Sequence, residues 1–418
     1  MPHAFTGTDL AALADTAGRD PRLGEAAEHA QDGQITQYLA GGPVLLDRYH
    51  NAPPATRALI DAAMDARRLG AGPRIPLAWL TQAAPGYLTD TEWDHTGDDW
   101  LEQALDYVTT PCHGILGILA PVKTGTPRNQ RTTSPSTGHG PGTGHGPLYR
   151  LADYLDQHGR RHRAEKIPPI DFWTAAAAHA HRGDLTALGN SAWDRGLYRD
   201  AAQLHKHATT QGDARAAAFL VDHLHDLYPT DHRPAQHAVA HVSLDNPHTV
   251  AELLNRLRKA GAQEQVAALL ARDPVAHVSL NYTWAVAELL NRLREAGAQE
   301  QVEALAEGAV AHVSLDDLYA VVELLNRLRE AGAQEQVETL AERASAHAFL
   351  DAPYSATALL EDLREAGAQK QAETLAERLP ASGNFGEFIK IGDHQKRFRF
   401  GREPDGKAAV RWAWEDLE

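Results

Sequence analysis

The stretch VAELLNRLREAGAQEQVE, beginning at Val286, recurs almost unchanged at Val250 and Val321 and in a looser form at Ala356. Its landmarks keep a fixed period. The glycines of the GAQ triplet fall at Gly261, Gly297, Gly332 and Gly367, at spacings of 36, 35 and 35, and His241, His277, His312 and His347 repeat with the same spacings. Within one copy Val286, Leu289, Leu290 and Leu293 stand at i, i+3, i+4 and i+7, the apolar stripe of a helix. Gly297 stops that helix, and Val302, Leu305, Ala306 and Ala309 mark the face of a second one. Each copy therefore reads as an antiparallel helix pair. One pair cannot bury both of its apolar faces, so neighbouring copies must stack, and the expected architecture is an α-solenoid.

Near-identity of the copies points to recent duplication, which preserves surface residues along with core residues. Asn255, Asn291 and Asn326, each followed by Arg256, Arg292 and Arg327, are therefore expected to recur along one face as a partner-binding ladder. The repeated histidines lie near helix ends. Copies stacked about 10 Å apart cannot bring them to one metal ion, so a structural role is expected and no metal site.

The helix pairs resemble tetratricopeptide (TPR) repeats. The likeness is clearest in LTALGNSAWDRGLYRDAAQLHKHA, where Leu188-Gly189, Gly196, Tyr198 and Ala201 fall at the Leu-Gly pair, turn glycine, aromatic and small positions of that pattern. The later copies keep Leu289, Gly297 and Ala309 but place Leu290 and Val302 where the pattern has small residues. The resemblance covers roughly Leu185 to Leu379. It implies a TPR-like right-handed α-solenoid with a protein or peptide partner on one face.

Elsewhere the composition changes. Residues 123–147, KTGTPRNQRTTSPSTGHGPGTGHGP, hold almost no apolar side chains and read as a flexible linker. His139 and His145 in its repeated TGHGP phrase, with no carboxylate nearby in sequence, make a poor metal site. Before it, helical patterns precede the short apolar run HGILGILAPV, a winged-helix order of elements. After Pro380, KRFRFGREPDGKAAVRWAW alternates aromatic and polar residues around a PDG turn, the mark of a β-hairpin that would cap the last repeat. The expected division is a helical segment at 1–50, a winged-helix-like domain at 51–122, the linker at 123–147, divergent TPR-like helices at 148–240, 35-residue repeats at 241–379 and a capping hairpin at 380–418. The fold class is mostly α.

Charge and cysteine content narrow the function. A net charge of −16 opposes nonspecific binding to nucleic acid or anionic lipid. A single cysteine, Cys112, excludes an intramolecular disulfide and a cysteine-based zinc cluster. No apolar run reaches the roughly 20 residues of a membrane helix, and MPHAFTGTDLAAL has no secretory pattern, so a cytoplasmic location is expected.

GQITQYLAGGPVLLDRY, Gly33 to Tyr49, carries Gly41-Gly42-Pro43 between an amphipathic stretch and an apolar one. It resembles the Gly-x-Pro element that follows the P-loop core in bacterial STAND-type signalling ATPases, where a small helical domain, a winged helix and a repeat sensor follow in that order. The resemblance implies that Gly41 and Pro43 would belong to a cofactor site, with Pro43 packed near the adenine of ATP. Yet no GxxxxGK[ST] occurs in the chain, so the nucleotide would need a P-loop domain on a separate NTPase subunit, and no cofactor of its own is expected.

Three functional readings compete. The leading one is a non-catalytic interaction scaffold or sensor arm. The alternative is a winged-helix transcriptional regulator with a repeat effector domain. Between Pro53 and Val122 four arginines face nine acidic residues, a local charge of −5 that a duplex would repel. A hydrolase is the third. DTEWDHTGDDW gathers Asp90, Glu92, Asp94, His95, Asp98 and Asp99, but its spacing fits no calcium loop and suits a solvated helix start. Cys112 and His113, adjacent in sequence, make no nucleophile–base pair. The chain is not expected to be an enzyme.

Overall fold

The computed structural model describes residues 42–111, 116–123, 146–348, 353–391, 393–404 and 406–411. Among them it is mostly helical, with 21 α-helices and one three-stranded sheet. The chain divides into two compact units, Met1–Gln211 and Gly212–Glu418.

In the first unit, α1 (Gly42–His50) and α2 (Pro54–Arg68) precede strand β1 (Ile75–Pro76). Next come α3 (Leu77–Ala83), a 3-10 turn (Ala84–Tyr87), α4 (Asp90–Asp94), α5 (Trp100–Thr109), β2 (Leu119–Pro121) and β3 (Leu148–Leu151). The unit closes with α6 (Asp153–His162), α7 (Ile170–His179), α8 (Leu185–Trp193) and α9 (Tyr198–Thr210). Helix α2 is the axis of this unit. Pro54 sits in its first turn, where the missing N–H costs nothing, and nearly every side chain from Ala58 to Ala66 is buried. It packs against α5, α6 and the 3-10 turn. At Gly159 in α6 an added Cβ would come 2.8 Å from the Cβ of Met64, so only glycine allows this approach of α6 to α2. Trp79, Phe172 and Trp173 fill the contact of α3 with α7, and the Trp79 indole donates to the Phe172 carbonyl at 3.2 Å.

The sheet overturns the division drawn at the linker. Its order is β1-β3-β2, antiparallel on both sides, with Ile75 opposite Tyr149 and Leu119 opposite Leu151. Strand β3 thus lies on the far side of the Gly/Pro/Thr/Ser-rich stretch and completes the sheet begun before it. Residues 123–147 join two strands of one sheet rather than two domains, and the boundary between compact units falls after Gln211, not at 147 or 240. Strand pairing across so long an insertion leaves no trace in local composition. His139 and His145 lie outside the described residues, as do Gly41, Cys112 and His113.

The second unit is a succession of helix pairs: α10 (Ala214–Leu227) with α11 (Arg233–His241), α12 (Pro247–Lys259) with α13 (Gln263–Leu270), and α14 (Thr283–Glu295) with α15 (Gln299–His312). Then follow α16 (Leu318–Glu330) with α17 (Gln334–His347), and α18 (Pro353–Glu365) with α19 (Gln369–Arg378). First helices pack against first helices of neighbouring pairs, α10 on α12, α12 on α14, α14 on α16 and α16 on α18. One continuous core of Leu, Val and Ala runs through all of them. The stop glycines Gly261, Gly297, Gly332 and Gly367 have φ between +68° and +75°, and the following N–H bonds back to the helix, as from Ala298 to Leu293 O at 3.0 Å.

The first spacing of 36 has a visible cause. Asp273 is the extra residue, and it is the one non-glycine with positive φ, +49°, among the described residues. Pro274 cannot continue the helix, so α13 ends at Leu270, while α15 and α17 run 14 residues.

After α19 the expected hairpin is replaced by α20 (Phe385–Phe388), α21 (His394–Arg397) and a single bridge between Arg402 and Ala408. Phe388 and Phe398 turn into the same core as Leu375 and Leu379. Burying both rings on the open end of the last pair requires a compact turn between them, and this prevails over the strand-like alternation of KRFRF. Trp412 and Trp414 lie outside the described residues.

Candidate interaction surface

The first helices of the second unit share one outward side, and three rows of side chains cross it. The row nearest the helix starts holds His248, Trp284 and Tyr319, each at the second helical position of α12, α14 and α16. Trp284 and Tyr319 are 54% and 60% exposed, an uncommon state for such large rings. The rings of His248 and Trp284 lie 5.6 Å apart, so neighbouring copies bring their rings together. Tyr282, one residue before α14, adds a further exposed ring.

One turn on stand Glu252, Glu288 and Glu323, and a further turn on Arg256, Arg292 and Arg327. These arginines do not form the free ladder expected from sequence. Arg292 bridges Glu288 at 2.6 Å and Glu295 at 3.0 Å, and Arg327 bridges Glu323 at 2.6 Å and Glu330 at 2.9 Å. Arg256 pairs with Glu252 and with Asp222 of α10. The next arginines link neighbouring copies, Arg258 to Glu295 at 2.5 Å and Arg294 to Glu330 at 3.4 Å. Burial alone would raise the Glu295 carboxyl, but hydrogen bonds from Arg292 and Arg258 hold it below its ordinary value. Asn291 is almost buried and joins Glu295 and Arg294, Asn326 accepts from Arg329 at 3.1 Å, and Asn255 is half-buried. Five of the six residues expected to form a binding ladder, all but Asn255, thus pair with neighbouring side chains of the face. In the looser fourth copy Asp362 replaces the arginine and faces Arg329 at 3.7 Å, and burial pushes its carboxyl up.

The aromatic row escaped the sequence reading, although its signal was present: residues 248, 284, 319 and 354 are His, Trp, Tyr and Tyr at the repeat spacing. Averaging over an apolar face hides aromatics that point away from it. A second missed series is Arg272, Arg343 and Arg378. Arg343 donates to Val310 O and Val313 O, both at 2.8 Å, and Arg378 to Ser345 O at 2.8 Å and Ala348 O at 2.6 Å. Each cation clamps the C-terminal carbonyls of the preceding second helix, where the helix dipole favours it. Gly308 occupies the corresponding position in the second copy.

The first unit holds a buried polar network. Asp65, fully buried, accepts from Arg163 twice at 2.8 Å, from Arg68 at 2.6 Å and from Tyr87 at 2.8 Å. Tyr49 donates to Asp61 at 2.7 Å, which also pairs with Arg163 at 3.0 Å. Burial, then Asp61, pushes the Tyr49 hydroxyl up to about 12. These groups saturate one another and act as a structural clamp.

Pro43 lies in the first turn of α1, so Gly42-Pro43 opens a helix rather than ending one. The acidic stretch at 90–99 forms a capping box, Thr89 with Glu92, which holds the Glu92 carboxyl below its usual range. It borders an open cleft of about 760 Å³ with Trp100 and Tyr107. The guanidinium of Arg48 already covers the Tyr107 ring at 4.8 Å.

No model of a known protein family matches the chain, and no curated protein matches it.

Proposed function

We propose that the chain is a non-catalytic protein-interaction scaffold or sensor arm, with helix pairs arranged as a TPR-like right-handed solenoid that takes a protein or peptide partner on its first helices. The observation that carries this is the exposed row of Trp284 and Tyr319 above a face stiffened by ion pairs. Aromatic side chains on a rigid scaffold supply contact area at little entropic cost, and they are the residues that dominate interface energetics. In the STAND-related reading, ATP would bind only with a P-loop domain from another subunit, with Pro43 on its adenine side. The protein would work in the cytoplasm.

A photo-reactive phenylalanine at Tyr319 should cross-link a partner protein in cells, and Trp284→Ala should abolish the adduct. The same probe at Ala304, exposed on a second helix, should stay silent. Equal labelling at both positions, or none at Tyr319, defeats the proposal.

A winged-helix regulator remains the second reading because of the element order α2, β1, α3, α5, β2, β3 and the sheet order β1-β3-β2. The helix that would enter a DNA groove is α5, which carries Glu102 and Asp106 and no basic residue. That charge favours a winged helix serving protein contacts.

A further inference from the structure

The arginines of the first helices and those of the C-terminal cap are held differently. On α12, α14 and α16 every arginine meets a carboxylate. In the cap the guanidinium of Arg397 lies over the Phe398 ring at 5.1 Å, that of Arg399 over Phe400 at 5.6 Å and that of Arg402 over Phe388 at 5.9 Å. None of these three, nor exposed Lys396, has a carboxylate partner among the described residues. The rings orient the cations and leave their charge uncompensated. Phe388 and Phe398 are anchored in the core, which fixes the rings beneath Arg402 and Arg397.

The opposite charge lies on the second helices. Glu300, Glu303 and Glu307 on α15 and Glu335, Glu338 and Glu342 on α17 follow i, i+3, i+7 spacing, and all are exposed. Among the described residues none forms an ion pair. Gln299 and Gln334 reach Glu303 and Glu338 through neutral amides, at 3.0 and 3.3 Å. Since α15 packs on α17, six like charges stand on two adjacent helices; the one arginine on them, Arg343, is spent on the Val310 and Val313 carbonyls, and Lys370 on neighbouring α19 pairs with none of the six. Such an arrangement is destabilising in isolation and is relieved by a cationic surface.

We infer that the occupant of the basic cap is a second copy of this chain, which presents its glutamate stripe to Arg397, Arg399 and Arg402. The contact joins two different patches and is therefore heterologous. Each added copy leaves one cap and one stripe unused, so association proceeds head to tail into open chains or a closed ring. A nucleic acid is the weaker occupant, because a chain of net charge −16 repels a polyanion outside the cap and offers no continuous basic track. The contact uses neither Trp284 nor Tyr319, so it stands or falls separately from the scaffold reading.

Sedimentation velocity of the full chain tests this. At about 25 mM salt, mean mass should at least double as concentration rises to about 100 µM, and about 0.5 M salt should return it to the monomer. Arg397→Gln/Arg399→Gln/Arg402→Gln and, separately, Glu303→Gln/Glu338→Gln/Glu342→Gln should each remain monomeric, and neither should unfold at a lower temperature than the wild type, the glutamate variant gaining slightly from the relief of like charge. Mixed in equal amounts, the two variants should form a 1:1 complex and nothing larger, because one competent cap and one competent stripe remain. A wild-type chain that stays monomeric at low salt overturns the inference. So does association that survives both sets of substitutions. A monomer that binds a labelled single-stranded oligonucleotide through the cap arginines also overturns it and names the other occupant.

Discussion

The two units reach stability by different routes. In the first, the contacts that matter join distant residues: Asp65 meets Arg163 98 positions away, and β1 pairs with β3 with Ile75 opposite Tyr149. Its interior combines large aromatics with buried charge. In the second, each helix meets its partner and the next copy, and the core is Leu, Val and Ala repeated. Damage to the first should spread through the whole unit, whereas damage to the second should remain local to the affected pair and its neighbours.

The largest expected effect breaks the first unit. Asp65→Ala takes the shared carboxylate from Arg163 and Arg68, whose side chains are 7% and 3% exposed, and leaves Arg163 with Asp61 alone and Arg68 with the Lys166 carbonyl. A cost of about 3–5 kcal/mol is expected, read as loss of the first unit's calorimetric transition while the second unit's survives. Retention of both transitions would mean the clamp is dispensable.

Leu290→Ala, at a fully buried position of α14, should cost about 2–5 kcal/mol. The sharper expectation is spatial. Amide exchange should accelerate in α14 and its neighbours α12, α15 and α16 and stay unchanged in α10. Uniform acceleration through the second unit would contradict nearest-neighbour behaviour.

A smaller, pH-dependent effect separates the units again. His158 of α6 packs between His162, 4.2 Å away between ring centroids, and His50 of α1 at 6.1 Å, with Tyr49 at 5.9 Å. Burial, followed by the charges of His162 and His50, lowers its pKa from 6.5 to about 4. The fold therefore holds the imidazole neutral. Its contribution is present above pH 6.5 and is lost as pH falls from 6.5 towards 4, where the unfolded chain binds the extra proton. Burial raises the Asp61 carboxyl, which works in the opposite sense and moderates the loss. Melting of the first unit should decline across this window, and His158→Phe should flatten the decline. An unchanged slope in the variant would remove His158 as its source.

The smallest expected change is a gain. Gly308 lies inside α15, and an added Cβ would meet only the flexible tip of Leu280, at 3.4 Å. Gly308→Ala should stabilise the second unit by up to about 1 kcal/mol, seen as a higher melting temperature of that transition alone.

The helix pairs, their stop glycines and their core faces were legible in the sequence because each depends on residues within about one helical turn of one another. The extra residue in the first copy was legible as a spacing of 36, though its location at Asp273 was not. The recurrence of Asn and Arg was equally visible, but recurrence says nothing of exposure. What the arginines meet is decided by packing as well as by their own helix: Arg292 and Arg327 pair within the helix, and Arg256 also reaches Asp222 of α10.

What the sequence determined by itself is a mostly helical chain whose second half repeats a helix pair, since periodicity and glycine stops act locally. The tertiary structure alone decided that the strands on either side of residues 123–147 pair in one sheet, that the cap folds as two short helices, and that an exposed aromatic row crosses the first helices. Each of these is settled by which distant surfaces bury one another, and burial between segments far apart in the chain leaves no local pattern to read.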